Sequence, residues 1–109
     1  MGRVLKPDDI LIVYPPDATE VPSTARKDLD RLADWLAANP SARIRVEAFA
    51  GGDPGALSQA RRTALLRARE VRRHLVDLGA PENGIEVRVV AAGDDGVPAN
   101  RVEIMVPSP

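Results

Sequence analysis

The chain has 109 residues, no Cys, one His (His74), three aromatics (Tyr14, Trp35, Phe49) and a formal net charge of -1. This length accommodates one domain around one core. The absence of Cys excludes disulfides, thiolate nucleophiles and cysteine-ligated metal or iron–sulfur sites. A single His excludes any metal site needing two imidazoles from one chain, three aromatics make a poor base-stacking platform, and the near-neutral charge argues against a nucleic-acid partner. No apolar run approaches the ~20 residues needed to cross a bilayer, and no basic segment followed by an apolar one opens the chain. The chain therefore reads either as cytosolic or as a domain whose targeting segment, and with it any membrane contact, lies upstream. The basic residues are 13 Arg and 2 Lys beside 16 Ala, a bias that GC-rich codons produce.

In chain order, residues 1–9 read as a lead-in. Ile10 to Tyr14 form a β-branched, aliphatic strand bounded by Pro15-Pro16. A Pro-rich loop follows, and Ser23 or Thr24 is expected to cap a helix. The apolar positions of this helix are Leu29, Leu32, Ala33, Leu36 and Ala37, and Asn39-Pro40 stops it. Trp35 falls off that stripe and is a candidate partner contact. Ile44, Val46 and Ala48 alternate with Arg45, Glu47 and Phe49 in a second strand. Residues 50–55 are a Gly- and Pro-rich loop. A long helix then runs over 56–78 with its stripe on Leu57, Ala60, Ala64, Ala68, Val71, Leu75 and Leu78. Gly79 is placed to end it. Ile85, Val87 and Val89 mark a third strand, residues 91–99 a loop, and Val102, Ile104 and Val106 a fourth strand. The order β-α-β-α-β-β, with one apolar stripe per helix, predicts an α+β two-layer sandwich with two helices on one face of a mixed four-stranded sheet. It is a single domain over 10–106 with a tail at 107–109.

Among the polar residues, Arg67 stands apart. It lies at the margin of the apolar stripe, whereas Arg62, Arg69 and Arg73 point away from it. It is either a functional cation at the mouth of a cleft or an edge arginine that snorkels to solvent. Arg61, Arg62, Arg69, Arg72 and Arg73 read as a solvated helix face, and His74 as a surface histidine. None of the four Ser sits in a nucleophile elbow, so no catalytic constellation forms around His74. Leu66 is an off-stripe apolar residue available to a partner.

Leu32-Ala33-Asp34-Trp35-Leu36-Ala37-Ala38-Asn39-Pro40, followed by Ile44-Arg45-Val46-Glu47, then Arg67-Ala68-Arg69-Glu70-Val71, Gly79 and Asn100-Arg101-Val102-Glu103-Ile104, resembles in order the OmpA-like C-terminal domains. These are non-catalytic peptidoglycan-binding modules of the bacterial envelope, and the resemblance covers residues 10–106. It implies a periplasmic location, no cofactor, and a grip on the zwitterionic end of the diaminopimelate in the peptidoglycan stem peptide. In such a grip an Asp at the strand end takes the ammonium and a helix Arg takes the carboxylate, because an Arg fork matches a carboxylate and an Asp only accepts. Carried over, the carboxylate falls to Arg67. The strand end departs from the pattern: Phe49-Ala50-Gly51 stands where the family has His-Thr-Asp. Asp53 is then the acid expected to hold the ammonium, with Phe49, Gly51 and Gly52 lining the site and recognition weakened or altered. The alternative is a scaffold that has lost the wall and serves as a protein–protein module in an envelope assembly.

Overall fold

The computed structural model describes residues 6–51, 55, 57–91 and 98–107. Four strands and two α-helices alternate as expected: β1 (Ile10–Val13), α1 (Arg26–Ala38), β2 (Ile44–Ala50), α2 (Leu57–Asp77), β3 (Ile85–Ala91) and β4 (Arg101–Met105). The sheet order is β1-β4-β2-β3. The last strand therefore inserts between the first and second, antiparallel to both, while α2 carries the chain across to a parallel β2–β3 pair. Register follows the side-chain period of two. Ile12 sits opposite Val102 and Val46 opposite Ile104, so one face of the sheet is apolar throughout.

That face meets both helices. Leu29, Leu32, Leu36, Ala64, Ala68, Val71 and Leu75 bury fully against Ile12, Val46, Ala48, Val102 and Ile104. Ala64 and Ala68 supply the small side chains that let α2 lie close to the sheet. The other face carries exposed Leu11, Val13 and Met105 among ion pairs such as Arg88–Glu86 at 3.0 Å and Arg45–Glu86 at 3.5 Å.

Several local expectations are corrected. Tyr14 lies one residue past β1, although its N–H still bonds the Asn100 carbonyl at 2.9 Å. Neither Ser23 nor Thr24 caps α1. A 3-10 turn over Ser23–Ala25 feeds the helix directly, with Ala25 at its start and no side-chain cap. The buried arc of α1 is rotated toward Trp35, which is only 7% exposed, while Ala37 faces solvent. A large ring one step off the stripe extends that arc on its own side, which removes Trp35 as a free contact residue. Leu57, the first residue of α2, and Leu78, one past its last, are 38% and 46% exposed rather than part of the buried stripe. Gly79 ends the helix as expected. It takes φ +107°, its N–H bonds the Val76 carbonyl, and the Ala80 N–H bonds that of Leu75.

Candidate functional site

Arg67 lies in the buried row of α2, between Ala64 and Val71, and is 2% exposed. A guanidinium there must be hydrogen-bonded or its desolvation goes uncompensated. Three acceptors meet it. Nε donates to the Ala18 carbonyl at 2.6 Å, Nη2 to the Pro15 carbonyl at 3.2 Å and Nη1 to Asn100 Oδ1 at 3.1 Å. Its Cζ also rests over the Tyr14 ring, 4.7 Å from the centroid. The arginine thus joins the β1–α1 connection, α2 and the residue preceding β4. It neither snorkels to solvent nor stands open at a cleft mouth.

The local sequence explains the arrangement. Residues 15–18 make a turn closed by the Ala18 N–H on the Pro15 carbonyl at 3.2 Å, with Asp17 at φ +65°. Pro16 at the second turn position and positive φ at the third define a type II turn, which aims the carbonyls of Pro15 and Ala18 at the helix. Burial lowers the affinity of Arg67 for its proton, and the nearby Tyr14 and Asp17 oppose that shift. Burial pushes the Tyr14 phenol up to about 12, offset in part by the Arg67 charge. Tyr14 Oη is buried with no hydrogen-bond partner among the described residues.

The residues expected to share this site divide among several places. Gly51 follows β2 directly and is half-buried. Gly52 and Asp53 lie outside the described residues. Phe49 does not join Arg67. Strand parity sends Ala48 and Ala50 into the core and Phe49 to the opposite face of the sheet, where Arg101 Cζ stacks over its ring at 3.8 Å. Arg101, 3% exposed, also donates to the Pro98 carbonyl at 2.9 Å and to Glu103 Oε2 at 3.2 Å. The Arg face of α2 is solvated as expected, with Arg73 paired to Glu70 and Asp77 along the helix. His74 is not a plain surface residue. Its Nε2 lies 3.3 Å from Asp30 Oδ1, bridging α2 to α1. Asn100 and Tyr14, both essential to the setting of Arg67, escaped sequence reasoning as site residues. The available signal was the Asn100-Arg101 pair that opens the last motif, and the Pro-Asp turn after Tyr14.

The sequence matches the OmpA family over residues 13–104, and the chain belongs to that family. No curated protein sequence matches it. The fold is shared with solved structures of low identity. The peptidoglycan-associated lipoprotein from Burkholderia pseudomallei superposes with a TM-score of 0.75 at 21% identity, covering 89% of each chain. The C-terminal domain of Helicobacter pylori MotB gives 0.70 at 18%, covering 92% of this chain and 85% of that one. The cell wall anchor of the type VI secretion system (T6SS) from Pseudomonas aeruginosa gives 0.66 at 17%, covering 93% and 81%.

Proposed function

We propose that this chain is a non-catalytic, periplasmic envelope domain that anchors its parent protein to peptidoglycan by holding the stem peptide, with a weakened grip. Family membership over 13–104 supports the class, and solved relatives of the same fold include a peptidoglycan-associated lipoprotein and a cell wall anchor. The observation that carries the reading is Arg67. The one arginine that the family pattern assigns to a ligand carboxylate is also the one on α2 that the protein fixes by three hydrogen bonds. A guanidinium fork matches a carboxylate in both charge and donor spacing. Asp53 would take the ammonium, with Gly51 and Gly52 offering backbone donors. The weakness follows from Gly51 standing where the pattern has an acid, and from the protein acceptors already seated on Arg67.

Co-sedimentation with purified sacculi tests this reading. A fraction of the chain should pellet, excess free diaminopimelate stem peptide should release it, and Arg67→Met should stay in the supernatant. Wild-type chain that never pellets rejects wall anchoring. A second reading, a protein–protein module, is favoured by the exposed apolar residues of the open sheet face, Leu11 at 53% and Val13 at 49%, and by Leu66 on α2 at 45%. It predicts no pelleting, and a partner whose binding is lost when Leu11 or Leu66 becomes Glu.

A further inference from the structure

We propose that the turn formed by residues 15–18 is a gate on Arg67: its two carbonyls occupy the arginine's carboxylate-binding fork, and a ligand carboxylate enters by displacing them. This rests on the wall-binding reading above and adds a regulation of the same site.

The fork is the starting point. In a guanidinium, the N–H of Nε and one N–H of Nη2 point side by side at the spacing of the two oxygens of a carboxylate. Here that edge is filled by two separate backbone oxygens, Ala18 O on Nε and Pro15 O on Nη2. The turn therefore stands where a bidentate carboxylate would stand, and Asn100 holds the third nitrogen from another direction. The bound turn and a fork-bound ligand are mutually exclusive.

The cover is one chain thick. Arg67 is 2% exposed, yet Pro15, Pro16 and Asp17 above it are all exposed and Ala18 is half-buried. Moving these four residues frees the Nε–Nη2 edge, while the Tyr14 ring and Asn100 stay on the guanidinium. The sheet contact before the turn, Tyr14 N–H to Asn100 O, and the 3-10 turn after it belong to separate hydrogen bonds.

The closed turn is also only moderately stable. Pro16 favours it by fixing φ at the second position, but Asp17 at φ +65° occupies a conformation that suits Gly or Asn better. The exchange replaces two neutral acceptors with one anion, which keeps two hydrogen bonds on the fork and adds the attraction between opposite charges. A carboxylate can therefore repay the opening, while a neutral ligand cannot. Apparent affinity then scales with the fraction of molecules already open.

The test uses the full chain, wild type and Pro16→Gly, titrated calorimetrically with a synthetic L-Ala–D-Glu–diaminopimelate peptide. Pro16 is exposed, and Gly in its place releases the turn while leaving the core and Arg67 intact. The expected result is tighter binding by Pro16→Gly, by roughly two- to fivefold. Binding equal to or weaker than wild type overturns the gate and leaves wall binding standing. Binding by Pro16→Gly alone supports the gate in its most closed form. Absence of binding by both chains overturns the wall reading, and the gate with it.

Discussion

Arg67 concentrates the consequences at the scale of single residues. Arg67→Met keeps the alkyl stem but strips the donors from two backbone carbonyls and Asn100 Oδ1 in a buried setting. Leaving buried acceptors unpaired costs about 1–3 kcal/mol each before relaxation. The turn can turn outward to water, so the expected loss is about 2–4 kcal/mol, read from the urea midpoint at unchanged m-value. The chain's single Tyr gives a second handle. In the fold the Tyr14 phenol is pushed from 10 up to about 12. The unfolded chain ionises first, so the native state holds the extra proton between those values and stability falls as pH rises across that window. Below pH 10 the contribution is intact. The loss by pH 12 is on the order of 2 kcal/mol. Absorbance at 295 nm follows this phenol alone and should show no phenolate in the native chain near pH 10. Arg67 and Tyr14 differ in how far the sequence disclosed them. Helical phase and family resemblance singled out Arg67. Its acceptors did not stand out, because two of the three are backbone carbonyls, which every residue has and whose direction only the turn decides.

At the scale of elements, the close approaches are carried by small residues. Gly84, in the 3-10 turn before β3, has no room for a side chain: an added Cβ would lie 2.8 Å from the Ala42 carbonyl oxygen. Backbone, unlike a flexible side chain, cannot easily give way. Gly84→Ala is therefore expected to destabilise by about 1–3 kcal/mol despite the favourable change in chain entropy, measurable as a drop in Tm. The helices show why element existence was legible while element boundaries and faces were less so. The 3.6-residue rhythm of Leu29, Leu32 and Leu36 marks α1 wherever its ends fall. Its start at Arg26, by way of a 3-10 turn, and the burial of Trp35 depend on how the preceding segment and α2 pack against it. Local capping preference was a weak term beside that packing.

At the scale of the whole molecule, inserting β4 between β1 and β2 fixes which residues share a face. Ile12 and Leu11 are adjacent in sequence, 2% and 53% exposed. Lys at position 11 should change stability by less than about 0.5 kcal/mol, whereas Lys at position 12 should abolish cooperative unfolding. Thermal melts followed by circular dichroism separate the two. The same parity undoes one sequence-level grouping. Phe49 and Arg67 converge when read through the family pattern, but a strand alternates its side chains, so Phe49 meets Arg101 on the open face while Arg67 meets Tyr14 beneath the helices.

By itself the sequence determined the α+β class, the number and order of the elements, the apolar alternation of the strands, and the membership that Arg67, Gly79 and the Asn100-Arg101 motif announce. Those features are periodic or local, and short-range physics writes them into residue spacing. Only the tertiary structure decided the strand order, the side of the sheet taken by each strand residue near the site, and the state of Arg67. The first two depend on pairing between segments far apart in the chain. The third depends on a turn and an asparagine 49 and 33 residues away from the arginine, whose oxygens reach the guanidinium once the fold has brought them to the middle of α2.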